Sequence, residues 1–300
     1  MVIKSKIEYI IIACCTYKRP DELERLLSNL RDINYPEEIK TEILVVDNDA
    51  YGSAKPVCEK FLNIKYAFAE KLGFASVRNK ALEESIKLGA THIAFIDDDE
   101  IADENWLINH IDFYNRFEEI YISSGPTIKL FSGDCPEYIR HNKLFSTSKS
   151  KKSGDLKSTC ASGNVFFPLN IIGDLRFNED FNTSGSEDTE FFFKLNSLGY
   201  KIGWNNEAVN YEIVNKNRMN IRWILKRAYQ NGYSASAIKF KNQNQKKLQY
   251  VLSKLLSIII NFGIIILAVP FGRTKLLNAC TILVKNIGKF IGALNLKPID

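Results

Sequence analysis

The sequence predicts an α/β fold with a mainly parallel central sheet flanked by helices, followed by a C-terminal helical region. Three observations carry this. Apolar, β-branched runs alternate with helical spacings over the first hundred residues. Polar or acidic residues sit at the ends of those runs. The last fifty or so residues turn strongly apolar. Repeated β-α-β order implies parallel strands joined by right-handed crossovers.

Tyr9 to Cys14 reads as a buried parallel strand. Pro20 and Asp21 open a helix with leucines at 23, 26, 27 and 30. Ile43 to Val46 is a second strand ending at Asp47. Ser53 to Leu62 is expected to be helical, and Ile64 to Ala67 a third strand. Ala75 to Leu88 is a helix stopped by Gly89, and Ile93 to Ile96 a fourth strand running into Asp97, Asp98 and Asp99. Ligands of such sheets sit beyond the carboxyl ends of the strands, where Thr16, Asp47 and Asp97 fall. Farther on, Phe131 to Asp155 is rich in Ser, Lys and Gly and reads as a mobile loop. Cys160 to Pro168 reads as a strand, Glu187 to Leu198 as a helix, and Lys201 to Trp204 as a strand. Met219 to Phe240 is a basic, aromatic helical stretch interrupted near Gly232. The expected division is a catalytic domain over 1–240 and an apolar and amphipathic helical region over 241–300.

With 300 residues, 45% of them hydrophobic and 25% charged, the chain can bury a large core. A net charge of +5 suits an anionic substrate or an acidic membrane surface and is too small to argue for nucleic acid. The six cysteines show no CxxC spacing, which speaks against zinc, and Cys14 and Cys15 read as buried reduced thiols. No signal peptide is legible, so the catalytic work is expected in the cytoplasm.

Three adjacent carboxylates repel one another unless a cation or basic partner neutralises them. In an extended segment Asp97 and Asp99 point one way and Asp98 the other. Two oxygens on one side suit a divalent metal that also binds substrate phosphates and stabilises a leaving diphosphate. The bland alternative is a solvated acidic loop or a helix cap. Lys71 to Asn79 is a glycine turn entering a helix, a place that favours phosphate but also fits an ordinary capped helix. Glu187 and Asp188 open a helix, where the dipole alone would favour acids. Asp180 reads as a surface residue, and His92 as packed near its strand.

Together these segments resemble the family 2 glycosyltransferases, whose nucleotide-sugar-binding fold is called GT-A. The resemblance runs through Cys15-Thr16-Tyr17-Lys18-Arg19-Pro20, Val45-Val46-Asp47-Asn48, Gly73 to Asn79 and Phe95-Ile96-Asp97-Asp98-Asp99-Glu100. It resumes at Ser162-Gly163-Asn164 and Glu187-Asp188-Thr189-Glu190-Phe191, and ends between Arg222-Trp223 and Gly232. It looks like bacterial enzymes that build exopolysaccharide, capsule or lipopolysaccharide repeats. The resemblance implies an inverting transfer of sugar from a nucleotide-diphosphate donor to a glycan or lipid-linked saccharide at the cytoplasmic face of a membrane. Thr16 and Arg19 would line the nucleotide site, Asp47 would bond the base, Arg78 would approach the ribose or diphosphate, and Asp97 would contact the ribose or sugar. Asp99, with Asp97, would ligate manganese or magnesium. Gly163 and Asn164 would line the acceptor site. Asp188 would be the general base, with Glu187 the alternative. The family's usual histidine after the next strand is missing from Val209-Asn210-Tyr211-Glu212, leaving Tyr211 or Glu212 in its place.

Two rival readings are weaker. A sugar nucleotidyltransferase should carry a glycine-rich loop after the first strand, yet Cys14 to Pro20 contains no glycine. A non-catalytic glycan-assembly protein would have no need of both Asp99 and Asp188. In the C-terminal region, Leu255 to Phe271 is an apolar run of roughly 17 residues, at the lower limit for spanning a bilayer. After it, Leu276, Cys280, Leu283, Ile287, Phe290, Ile291 and Leu294 form one helical stripe, with Lys275, Lys285 and Lys289 off it, as in a helix lying in the interface plane.

Overall fold

The computed structural model describes residues 4–146, 152–182, 185–240, 247–294 and 296. It divides into two compact units, Met1–Ile128 with Thr147–Glu212, and Lys129–Ser146 with Ile213–Asp300. The division therefore falls after Glu212, not at residue 240 as composition suggested.

In chain order the first unit begins β1 (Tyr9–Thr16), α1 (Pro20–Asp32), β2 (Lys40–Asp47), α2 (Lys55–Cys58), β3 (Ile64–Phe68), α3 (Phe74–Lys87) and β4 (His92–Asp97). Next come β5 (Glu100–Ala102), α4 (Trp106–Arg116), β6 (Ile120–Ser124) and β7 (Thr127–Phe131). The helix expected over Ser53 to Leu62 shrinks to the four residues of α2, started by Pro56 at its second position. After α5 (Glu137–Arg140) the chain forms β8 (Leu156–Lys157), β9 (Asn164–Pro168), α6 (Glu187–Ser197), β10 (Lys201–Trp204) and β11 (Asn210–Val214). The helices α7 (Ile221–Phe240), α8 (Lys247–Ala268) and α9 (Arg273–Ala293) complete the chain.

Eight strands form one sheet in the order β3-β2-β1-β4-β9-β6-β10-β8. β3, β2, β1 and β4 are parallel, while β9 runs antiparallel between β4 and β6. β1 shows how the sheet is covered. Tyr9, Ile11 and Ala13 pack with α3 and α6 on one face, and Ile10, Ile12 and Cys14 with α1 and α4 on the other. That is the alternation of a strand buried on both sides. Truncating Ile10, Ile11 or Ile12 to alanine would cost about 2–5 kcal/mol. The register aligns Thr16 with Asp47 and Cys15 with Asp97, so three strand ends open side by side.

In the second unit, Cys135, Ile139 and Phe145 are buried with Val214, Met219, Ile224 and Leu277. The segment expected to be a mobile loop is thus a packed one where it is described. Its Asn142 amide donates to Thr281 Oγ1 (3.0 Å), and Asn278 Oδ1 accepts from the Lys143 N–H (2.8 Å). α7 is unbroken at Gly232. A Cβ there would lie 2.1 Å from the Lys285 carbonyl, and one on Gly288 or Gly292 would lie 2.2 Å from the Tyr229 or Tyr233 carbonyl. Glycines thus let α7 and α9 touch backbone to backbone. The buried side of α9 runs through Leu277, Thr281, Gly288 and Gly292, rotated from the expected stripe, whose residues are largely half-buried. α8 differs: Leu252, Leu256, Ile259, Phe262 and Ile266 are all exposed. With the 3-10 turn after it, α8 makes a 25-residue element, longer than the run read from the sequence, and an 18-residue window within it has a mean hydropathy of 2.3.

Candidate functional site

The acidic triplet is not extended. Asp97 ends β4, and Asp98 and Asp99 form the turn into β5. The alternation expected of a strand therefore fails. Asp97 faces Arg78, whereas Asp98 and Asp99 share Arg19. Asp98 is held twice, by the Thr16 hydroxyl (2.7 Å) and by Arg19 Nη1 (2.8 Å); the same nitrogen lies 3.3 Å from Asp99 Oδ2. Burial raises the Asp98 pKa, against the pull of Arg19 and Thr16. Arg19 precedes Pro20 at the start of α1, and Lys18 before it takes a left-handed φ of 54°. A non-glycine residue in that conformation stores strain, which is typical of loops shaped for a ligand.

Arg78, on the inner face of α3, is the second cation. Its Nη1 donates to Glu187 Oε1 (2.6 Å) and its Nη2 to Asp97 Oδ1 (3.1 Å). Glu187 is 3% exposed and its Oε2 has no hydrogen-bond partner among the described residues. Burial raises the Glu187 pKa, and Arg78 opposes the rise. Asp188 is half-buried; its Oδ1 accepts from the Thr189 N–H (2.5 Å) and its Oδ2 from the Ser162 N–H (3.3 Å). Ser186, just before them, takes a φ of 78°, so α6 starts from a strained turn without a side-chain cap.

Gly163 sits against this cluster. A Cβ on it would lie 2.8 Å from both Asp97 Oδ2 and Glu100 Oε1, so the absence of a side chain is what admits the two carboxylates. Asn164 is 3% exposed and spends its amide on the chain itself. Its Oδ1 accepts from Trp106 Nε1 and contacts His110 Nε2, each at 2.9 Å, and its Nδ2 donates to the Pro126 and Ala208 carbonyls. The placement is that of a framework residue rather than an acceptor contact. Because Oδ1 can only accept, His110 carries its proton on Nε2, and burial lowers its pKa to about 4. Asp47 is likewise fully buried, accepting from the Asp49 and Ala54 N–H groups (2.9 Å each), so it shapes its own loop.

The turn at Gly73 corrects one expectation. Asn182 Oδ1 accepts from the Ala75 (2.9 Å) and Ser76 (3.0 Å) N–H groups, so the N-terminus of α3 is capped from within rather than open to phosphate. Gly73 is required there, since its φ is 142° and a Cβ would lie 2.2 Å from Asn182. Nothing in the local sequence pairs residues this far apart. Asn210 was missed too. It donates to Glu100 Oε2 (2.7 Å) and to the Gly163 carbonyl (2.9 Å), tying β11 to the acidic turn. Glu212 stands opposite Glu100 in the β5–β11 register, and the Tyr211 hydroxyl lies 3.5 Å from Asp103. Asp180 is exposed, and His92 is buried against Phe166 and Tyr114.

The turn after β4 and the start of α6 thus gather Asp97, Asp98, Asp99 and Glu187 around two guanidiniums, with Glu100 beside Asp97, an excess of negative charge that fits a cation. Among the described residues no three His, Cys, Asp or Glu side chains form a ready-made metal cage. The donor set, with the Asp97 carboxylate 41% exposed, fits a hard divalent ion that takes its remaining oxygens from water and a diphosphate.

Residues 10–175 match the family model described as glycosyl transferase family 2. The succinoglycan biosynthesis protein ExoM of Rhizobium meliloti (strain 1021) is 29% identical over 231 residues, 75% of this chain and 73% of that protein. Among solved structures, the mannosyltransferase PcManGT of Pyrobaculum calidifontis, in complex with GDP-Man and Mn2+, superposes with a TM-score of 0.63 at 14% identity, over 96% of this chain and 89% of that one. Residues 1–349 of S. aureus TarS with UDP give 0.54 at 14% identity, over 95% and 90%.

Proposed function

The chain belongs to glycosyl transferase family 2, with the GT-A fold and glycosyltransferase activity, and from that premise we propose that it is an inverting, metal-assisted enzyme of surface polysaccharide synthesis. It takes sugar from a nucleotide-diphosphate donor and adds it to a glycan or lipid-linked saccharide at the cytoplasmic face of a membrane. One observation carries the reading: Arg78 joins Asp97, at the end of β4, to Glu187, the neighbour of Asp188 at the start of α6. A donor-side carboxylate and a candidate base therefore stand on two sides of one guanidinium. ExoM supports the polysaccharide role, and the UDP held by TarS and the GDP-Man and Mn2+ held by PcManGT support the donor class.

In this reading Asp97 and Asp99 hold manganese or magnesium, which when bound stabilises the departing diphosphate. Thr16 fixes Asp98 and so the turn that presents Asp99. Arg19 and Arg78 offer guanidiniums to the phosphates. Asp188, oriented by the Ser162 and Thr189 N–H groups, accepts the proton of the acceptor hydroxyl as its oxygen attacks the anomeric carbon from the face opposite the nucleotide. Gly163 leaves that space open. Asp47 and Asn164 keep the strand ends in place.

Membrane association rests on α8. α9 is hydrogen-bonded to Asn142 and Lys143 and packed on α7, so it belongs to the folded unit. The apolar surface of α8 lies outside, and its Asn261 amide is satisfied by the Ser257 carbonyl. A helix of this composition enters lipid and would hold the enzyme at the surface where a lipid-linked acceptor resides. The test of the chemistry is the anomeric configuration of the product by NMR with an α-linked donor. A β-linked product supports inversion, and an α-linked product excludes it.

A further inference from the structure

Resting on the metal reading above, we infer that Arg19 is a resident counter-cation of the acidic turn, competing with the divalent metal for Asp99 and thereby coupling metal binding to nucleotide binding. Arg19 Nη1 bridges Asp98 Oδ1 and Asp99 Oδ2, at 2.8 and 3.3 Å. Both carboxylates are buried, whereas the Arg19 side chain is 42% exposed. The movable partner in this triangle is therefore the arginine. Its backbone is fixed between left-handed Lys18 and Pro20, so only the side chain can swing.

A divalent ion that takes an Asp99 oxygen meets the guanidinium already there. Two cations around one carboxylate repel, so the metal alone must displace Arg19 and binds weakly. Asp98 keeps the Thr16 hydroxyl when the arginine leaves, so the turn holds its shape. A nucleotide diphosphate changes the balance. It offers the guanidinium phosphate oxygens in forked geometry, which arginine binds well. Arg19 moving to the diphosphate removes its charge from beside Asp99 and so favours the metal there. By linkage, the metal must tighten the nucleotide by the same factor as the nucleotide tightens the metal. The device favours a loaded site over one holding metal alone.

The test is Mn2+ titration of the full-length protein in detergent, followed by the electron paramagnetic resonance signal of free Mn2+, with and without uridine or guanosine diphosphate. Arg19→Gln removes the competing charge and should bind Mn2+ alone about tenfold more tightly than the wild type. The gain in Mn2+ affinity on adding nucleotide should be smaller in the variant. Lys18→Gln removes a neighbouring exposed charge that is ion-paired with neither Asp98 nor Asp99 among the described residues, and should leave Mn2+ affinity unchanged. Circular dichroism melting establishes that each variant is folded; if Arg19→Gln does not fold, Arg19→Met is measured in its place. Equal or weaker Mn2+ binding by the Arg19 variant, or an equal gain in Lys18→Gln, overturns the inference and leaves the metal reading standing. Failure of the wild type to bind Mn2+ even with nucleotide overturns both.

Discussion

Arg78 divides its guanidinium between two chain segments, donating from Nη1 to Glu187 Oε1 at 2.6 Å and from Nη2 to Asp97 Oδ1 at 3.1 Å. Glu187 and Asp188 are adjacent in sequence, yet they stand in different surroundings. The first is buried against the arginine, and the second is half-buried beside the Ser162 N–H.

That difference assigns the two carboxylates separate roles. Asp188→Asn should lower kcat by about a hundredfold or more with unchanged nucleotide affinity and melting temperature. Glu187→Gln weakens a buried charged pair and should lower stability by roughly 2 kcal/mol in a denaturant titration. An active Asp188→Asn beside a folded but inactive Glu187→Gln would exchange the assignments.

Gly163→Ala tests the approach of Asp97 and Glu100 to β9. The added methyl would lie 2.8 Å from an oxygen of each, so the carboxylates must move. The expected loss in kcat/KM is about tenfold or more, since small displacements of positioning groups cost that much. Wild-type kinetics from this variant would show that the Asp97 position is not critical.

His92 and His110 set a pH dependence of stability. Burial lowers the His92 pKa to about 3 and the His110 pKa to about 4, against 6.5 for each when unfolded. Below pH 6.5 the unfolded chain binds the extra protons, so stability is full above that pH and falls as pH drops toward 4 and then 3. His92 Nε2 has no hydrogen-bond partner among the described residues, and the ring stacks on Phe166. His92→Phe should therefore be at least as stable as the wild type at pH 7 and lose less stability between pH 6.5 and 4. A steeper loss in the variant would contradict the burial argument.

The strands around the site were legible because buried parallel strands write themselves as unbroken apolar runs: Tyr9 to Cys14 and Ile93 to Ile96 lie inside β1 and β4. Glu187 and Asp188 were legible from their place at a helix start. Three things were not. The acidic triplet turns after Asp97, and strand alternation cannot foresee a turn that two arginines stabilise. Asn182 and Asn210 act on residues far away in sequence, and a lone asparagine carries no such signal. Cys135, Ile139 and Phe145 are too few in a polar segment to announce burial, although α7 and α9 supply their partners.

Membrane association is tested by substitutions on α8, which leave α9 packed against Gly232 of α7. Leu252→Gln, Leu256→Gln, Ile259→Gln and Phe262→Gln together replace four exposed apolar side chains. Each gives up about 1.5–3 kcal/mol of transfer into lipid. The variant should move from the membrane pellet to the soluble fraction with its melting temperature unchanged. Wild-type protein found wholly in the soluble fraction without detergent would contradict the assignment.

The proposed chemistry is metal-assisted transfer from a nucleotide sugar. It is tested most directly by nucleotide release from a panel of UDP- and GDP-sugars by purified full-length protein, with Mn2+ or Mg2+ and with excess chelator. Release is expected from at least one donor, and it should require added acceptor, stop with chelator and be lost in a folded Asp99→Ala variant. Turnover that continues undiminished in chelator, or in Asp99→Ala, would contradict it.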